Sequence, residues 1–488
     1  MKSSVSDYEN MTLSETLSEN IAVFKEIFRS DDILRMRRFK ISGNIDCALF
    51  YMDGMINSES INESIVRPLI LSENAVGDVT YISENILFAN ETKVSKYLSD
   101  MLRAVLYGDT ILLIDGQSRA LTINTKGWRT RGIIEPMDER VLQGPREGFD
   151  EAAMFNLAMI RRRLLTPDLC IEMLRVGRRT DTLVFVCYLK SLASERIVKE
   201  LKKRISEIDI DGILDSNYIS ESIRDHPMSL LKTIGSTERP DIVAARLLEG
   251  RIAVVVDGTP VVLTLPYLFS ENFQSDEDYY LNFLVSSVGR ILRFVCFFLA
   301  VSVPAVFLAL TTFHLKLLPT NMALSIAELR QGVPMSSVTE FILLILVFEI
   351  LQETGIRMPQ GLGHALSIVG GLVVGQAAVE ARIISAPMLI AVALSGISGL
   401  MIPRLKGVVF YLKLLLVAAS ALFGLYGYIS LSAVFVIRVF GMNSFGVDYT
   451  VSLNDPDFQN IKDTFFRAPW WAMIKRPMFN KNKIRQRR

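Results

Sequence analysis

The sequence predicts a chain in two parts: an α+β soluble region of two tandem α/β subdomains, followed by an all-α polytopic membrane domain. Up to Ser286 charged and apolar residues mix as in an ordinary globular protein, whereas Ile291 to Phe440 is mostly apolar, interrupted by Gly, Pro, Gln and Glu, and the end of the chain is basic. The expected units are 1–143 and 144–286 for the soluble subdomains, 287–440 for a helical membrane domain with short or re-entrant segments, and 441–488 for a tail.

In the first subdomain Leu13, Leu17, Ile21, Phe24 and Phe28 recur at helical spacing, and Asp31 with Asp32 reads as the start of a next helix. Residues 48–52, 110–114 and 120–124 read as strands, separated by helices at 61–71 and 94–106. A turn at 143–148, GlnGlyProArgGluGly, closes this unit. Asp150 then stands where an N-cap is wanted, before a helix that ends in Arg161, Arg162 and Arg163.

In the second subdomain, ThrLeuValPheValCysTyrLeu at 182–189 reads as a strand. Strands at 253–256 and 261–265 are joined by AspGlyThrPro, a hairpin signal because Gly258 accepts positive φ. Just before them a short helix is bounded by Pro240 in its first turn and Gly250 at its stop.

Ile291 to Phe313 supplies the roughly 20 apolar residues that a bilayer crossing needs. Val338 to Leu351 and Ala386 to Ile402 are short for a crossing, while Val408 to Phe440 is too long for one untilted helix and too short for two full ones. No apolar core follows the basic start of the chain, so no cleavable signal peptide is expected and the soluble half stays where it is made. Arg290, Arg293, Arg404 and Lys406 place that half on the cytoplasmic side under the positive-inside rule. The tail, with Lys462, Arg467, Lys475, Arg476, Lys481, Lys483, Arg485, Arg487 and Arg488, belongs on the same side. That parity requires one apolar stretch to be re-entrant, or the last to fold back.

A formal net charge of +1 argues against nucleic-acid binding. Cys47, Cys170, Cys187 and Cys296 lack paired spacing and read as small buried hydrophobes, with no metal or cofactor indicated. No nucleophile triad or phosphate-binding glycine loop is present, and His226, His314 and His364 are far apart, so no enzyme activity is expected.

The triple Arg161, Arg162 and Arg163 suits phosphate or an acidic partner, yet cations in the last turn of a helix are also what the macrodipole favours. Glu340, Glu349 and Glu353 bracket an apolar run; ionisable residues at membrane depth usually face a cavity or a partner, which singles out Glu349. Glu353 has Arg357 one turn away as an ordinary ion-pair partner. In Gly363 to Glu380, Ile368, Leu372, Gln376 and, with some drift, Val379 and Glu380 follow one face at helical spacing. In a ring of subunits that face makes an apolar constriction beside polar rings; alternatively Gly370, Gly371 and Gly375 only allow close helix packing.

These residues resemble the A-subunit family of bacterial spore germination receptors, the GerA type. The resemblance runs through GlyProArgGluGlyPhe at 144–149, AsnLeuAlaMetIleArgArgArgLeu at 156–164, ThrGluArgProAsp at 237–241, AspTyrTyr at 278–280, PheHisLeuLysLeuLeuProThr from Phe313, GluThrGlyIleArgMetPro from Glu353 and IleValGlyGlyLeuValValGlyGlnAlaAlaValGluAla from Ile368. It departs from the family at 335–337, MetSerSer, where an aromatic and prolines are usual.

The resemblance implies a nutrient-germinant receptor component of the spore inner membrane. Such a subunit works with a transporter-like B subunit and a lipoprotein C subunit and self-associates in a ring that releases monovalent cations, with Leu372 at the constriction. Alternatives are an accessory paralogue acting in dipicolinate release, a non-conducting membrane scaffold, and a secondary transporter, which should show related halves and does not.

Overall fold

In the computed structural model the described residues are 4–72, 77–127, 136, 139, 141, 143–357, 375–451, 463–473 and 476, with side chains 356 and 357 left aside. The soluble half holds two five-stranded sheets. The first comprises β1 (Leu34–Ile41), β2 (Ile45–Met52), β3 (Thr92–Ser95), β4 (Thr110–Ile114) and β5 (Ala120–Ile123) in the order β1-β2-β4-β5-β3. The second comprises β6 (Leu169–Val176), β7 (Thr182–Leu189), β8 (Gly235–Thr237), β9 (Ile252–Val256) and β10 (Val262–Leu265) in the order β6-β7-β9-β10-β8. Every pairing within both sheets is antiparallel, and the two strand orders are the same.

The two units are copies of one fold, a repeat that sequence inspection does not show. Each begins with a helix, Leu17–Ile27 or Ala153–Arg163, whose first turn is pinned by the turn of the unit's last hairpin. Leu17 N–H donates to Asp115 Oδ1 and Gly116 N–H to the Glu15 carbonyl; in the second copy Ala153 N–H donates to Asp257 Oδ1 and Gly258 N–H to the Glu151 carbonyl. Asn20 closes a ring with the Ser14 backbone, and Asn156 does the same with Asp150. Asp150 is therefore not the N-cap of its helix. Ala152 holds that position, and the carboxylate that satisfies the first turn comes from Asp257, across the fold.

Asp31 and Asp32 do not start a helix. They lead into β1, whose LeuArgMetArgArgPheLysIle puts charged residues between half-buried ones on an edge strand, and this strand was missed. The expected helix at 94–106 begins instead at Leu98, because Val94 pairs with Leu121 in β3. The segment before β1 also bridges the two sheets: Asp32 N–H donates to the Ile171 carbonyl, Ile171 N–H to the Ser30 carbonyl, and Met173 N–H to Asp32 Oδ2 at 2.7 Å. One apolar core, from Phe24 and Phe50 to Phe185 and Val255, runs through both units.

The helical half begins with Phe283–Thr312, followed by Thr320–Arg330, Ser337–Arg357, a short turn of helix at 375–380, Ala386–Leu400 and Lys406–Phe440. Among the described residues two helical stretches are, by length and composition, long and apolar enough to cross a membrane, Phe283–Thr312 and Pro403–Phe440. The second is not straight. At Gly424 φ is 60° and ψ −142°, outside helical space, and a Cβ on Gly427 would lie 2.2 Å from the Ala419 carbonyl oxygen. Eight residues of straight helix span about 12 Å, so this contact means the chain has reversed.

Gly424 thus sits at the tip of a helical hairpin, against Phe313 and His314 at the far end of the first long helix. Phe440 returns to the end where the soluble half lies, and 443–449 dock onto it. Ser444 Oγ donates to the Thr233 carbonyl, Phe445 N–H to Asp225 Oδ2, and the Phe445 ring enters the core of the second unit beneath the Arg204 guanidinium. The described tail residues Arg467 and Arg476 lie at this end as well, bonded to Ser287, Tyr279 and Leu248. The other basic residues of the tail lie outside the described residues.

Two consequences can be measured by thermal unfolding of the full chain in detergent. Asp31→Ala strands the fully buried Arg161 without its counter-charge and should cost about 3–5 kcal/mol, most of it recovered when Arg161→Met and Asp31→Leu are combined. Gly424→Ala forces a Cβ into the His314 ring at a backbone conformation suited to glycine and should cost about 1–3 kcal/mol, whereas Gly407→Ala, which points into open space, should leave the midpoint unchanged.

Candidate functional site

The soluble half and the long helices meet in a buried layer of arginines and carboxylates, assembled from segments far apart in sequence. Where the first long helix begins, Asp278 accepts from Arg290 Nε at 2.9 Å and from both ends of the Arg293 guanidinium at 2.9 and 3.0 Å. Arg290 is fully buried and also bonds Asp463 at 2.9 Å, while the Tyr279 hydroxyl donates to the same carboxylate. Where the helical hairpin begins, Arg404 reaches Asp276 at 2.7 Å and Glu139 at 3.4 Å, and donates to the carbonyls of Glu271 and Gln274.

A third cluster lies between them. Glu271, 2 % exposed, is gripped by Arg246 and Arg251, and Arg251 also donates to the Pro266 carbonyl. Burial alone would raise the Glu271 carboxyl, but the two guanidinium charges outweigh it and hold the group below the usual carboxylate range. Asp278 is treated the same way: burial pushes it up, and Arg293 and Arg290 pull it further down.

Three strings that sequence inspection noticed separately converge beside this layer. Arg239, fully buried, donates to the Pro145 and Glu139 carbonyls and to Asp241, and Tyr280 donates its hydroxyl to Asp241. Gly144, at φ 125°, lets the backbone approach the Tyr280 ring; a Cβ there would lie 2.7 Å from it. Residues 144–149, 237–241 and 278–280 are thus one contact. Arg239, Glu139 and Glu271 were not singled out from sequence, and Arg404 was read only as a topology charge; the available signal was an arginine beside a proline and acids next to an apolar span.

The residues that were singled out fall elsewhere. Arg161 is fully buried in an ion pair with Asp31, its charge spent inside the fold, and Arg163 and Arg162 face Glu147 at 2.5 and 3.9 Å. The triple therefore joins parts of this chain, and Arg161 is not available to an external phosphate. Glu349 lies 3.8 Å from Lys406 and Glu353 meets the same Lys406 at 3.2 Å, while the Arg357 side chain expected beside Glu353 lies outside the described residues. The buried Lys413 shares a chamber of about 20 Å³ with Glu349, Gln352 and Ser395.

Glu340 is fully buried and accepts from the Ser385 backbone and hydroxyl, an N-terminal cap for the Ala386–Leu400 helix supplied by a neighbouring helix. Gln376 donates to Glu380 at 2.9 Å on the exposed face of 375–380, and with Val379, Leu389 and Ile390 they line an open groove of about 470 Å³. Ile368 and Leu372 lie outside the described residues.

Against known proteins, residues 22–479 match the family model of the Bacillus/Clostridium GerA spore germination protein. The chain belongs to the GerA family. Among its relatives, spore germination protein KA of Bacillus subtilis (strain 168) is 38% identical over 97% of this chain and 89% of its own length. Membrane protein YfkQ of the same organism is 35% identical over 96% and 92%, and spore germination protein GerLA of Bacillus cereus is 32% identical over 97% of both chains. Among solved structures, the N-terminal domain of the A subunit of the Bacillus megaterium spore germinant receptor GerK3 aligns at 34% identity with a TM-score of 0.43, covering 53% of this chain and 98% of that one.

In this GerA-family chain Glu271 and Asp278, both held below the usual carboxylate range, set an acid limit on stability. A carboxyl whose folded value is depressed stabilises the fold above its unfolded value, about 4.3 for Glu and 3.9 for Asp, and that contribution is lost as pH falls through the folded value. Unfolding of the full chain followed by tryptophan fluorescence should show stability level near neutrality and declining below about pH 4.5. Glu271→Gln should be less stable at pH 7 and flatter across the acid range.

Proposed function

We propose that this chain is the A subunit of a nutrient-germinant receptor in the spore inner membrane, and that copies of it form a ring whose opening releases monovalent cations and starts germination. Membership of the GerA family supports the receptor role. The two apolar spans support membrane insertion, and the return of the hairpin at Gly424 supports a tail on the same, cytoplasmic, side as the α/β units. A transporter-like B subunit and a lipoprotein C subunit are the expected partners, with germinant sensed by the former.

The observation that carries the reading is the junction. Arg290 and Arg293 at the start of the first span, Arg404 at the start of the hairpin and Phe445 at its end all lock into the α/β half. A displacement of that half is then felt by three helix ends at once, as a gate driven from outside its pore requires. Gln376 and Glu380 pair on the exposed face of 375–380, and by sequence spacing Leu372 falls in line with them, so the proposed constriction has a polar ring beside it. Glu349, ion-paired to Lys406, ties the Ser337–Arg357 helix to the start of the hairpin.

The test is Leu372→Ala in spores. A widened constriction should release ions and shorten dormancy without nutrient; spores that retain their ions and stay dormant would count against a pore at this position.

A further inference from the structure

A cleft of about 250 Å³ lies between the first long helix and the returning arm of the hairpin, walled by Phe294, Phe297, Leu416, Phe435, Val439 and Phe465. Its chemistry is almost wholly hydrocarbon. At the inner end the Tyr428 hydroxyl donates to Ser302 Oγ at 2.9 Å, so these two polar groups satisfy each other. A hydrated ion or a polar metabolite would lose its water here without replacement, and a dry apolar cavity of this size favours an apolar guest.

The cleft is open on one side. Phe298, Val436 and Phe440 stand half to two-thirds exposed at its mouth, on the outer surface of the helices. From Phe294 to Ser302 it runs about 12 Å along the helix axis, away from the end that carries the soluble half. That near end has an aromatic rim: Phe466, Trp470 and Trp471 are exposed on a segment fastened to the span by Arg290 with Asp463 and by Arg467 N–H with Ser287 Oγ. Trp placed where an apolar span ends marks the water interface of a bilayer. Whatever enters therefore comes from the hydrocarbon beside the helices and has its polar end level with the tryptophans.

The geometry points to a resident phospholipid: one acyl chain from the leaflet adjoining the α/β half occupies the cleft, with Phe465, in tilted contact with Phe294 at a ring distance of 4.8 Å, closing over its upper part. This rests on the membrane reading given under the proposed function. A guest in this position packs at once on the first span, on both arms of the hairpin and on Phe273 beneath the junction, so its departure would loosen the two spans from each other.

The full chain in nanodiscs of phosphatidylglycerol and phosphatidylethanolamine, doped with a phospholipid bearing a diazirine midway along one chain, tests it. Photolysis and peptide mass spectrometry should place label at 294–302 and 428–440 several-fold above the exposed hairpin-tip positions Leu422 and Tyr426. Val301→Trp fills the cleft from within and Val436→Trp plugs its mouth at an exposed site that folding tolerates. Each should lower the cleft label at least about fivefold and leave Leu422 and Tyr426 unchanged. Equal label at cleft and tip, label unmoved by both variants, or crosslinks from the cleft to a second copy of the chain would overturn the proposal. Absence of label at Leu422 and Tyr426 as well would overturn the membrane reading itself.

Discussion

A guanidinium carried to the edge of an apolar helix must find a carboxylate there or take water in with it, because burying an unpaired charge costs several kcal/mol. The helical half has two such edges, at Arg290 with Arg293 and at Arg404, and in each case the answering carboxylates, Asp278, Asp276 and Glu139, belong to the other half of the molecule. Neither half can settle its charges alone. That requirement ties the spans to the α/β units and draws 463–467 back to give Arg290 its second carboxylate through Asp463.

Apolar packing then fixes what the charges leave free. The return arm of the hairpin delivers Phe445 into the core of the second unit, while Tyr449 donates its hydroxyl to the Lys232 carbonyl and accepts from Asn272. Phe445 and Gly446 both take positive φ, so the link is a tight turn rather than a slack tether. A rigid connection at this point leaves the hairpin little freedom to shift without moving the second unit.

How much of this the sequence disclosed depended on how far apart the interacting residues stand. Local signals were readable: the hairpin at Gly258, the helix between Pro240 and Gly250, and an apolar last stretch of a length that implied folding back, as Gly424 now explains. Edge strand β1 was missed because its charges follow one another at Arg37 and Arg38 and blur the alternation. The bond from Asp257 to Ala153, the pairing of Asp31 with Arg161 and the meeting of Lys406 with Glu349 join residues tens to more than a hundred positions apart, with nothing local to announce them. At the site itself the strings were visible, but their convergence on Arg239 and Tyr280 was not, because a buried arginine in a loop has no period.

The repeated unit has one more implication. Asn156 follows Asn20 by 136 positions and Asp257 follows Asp115 by 142, so the copies have drifted in their connections while keeping the same interlock. At the corner where the fifth strand in spatial order meets its helix, the second copy carries Arg239, fully enclosed and bonded to Glu139, which Arg404 of the hairpin also reaches, and the first carries Tyr97, nearly half exposed and bridged to Thr12. Duplication has separated two duties that a single unit would have had to combine. One copy is committed as a foundation for the spans, while its twin uses the equivalent corner to hold the start of the chain at Met11 and Thr12.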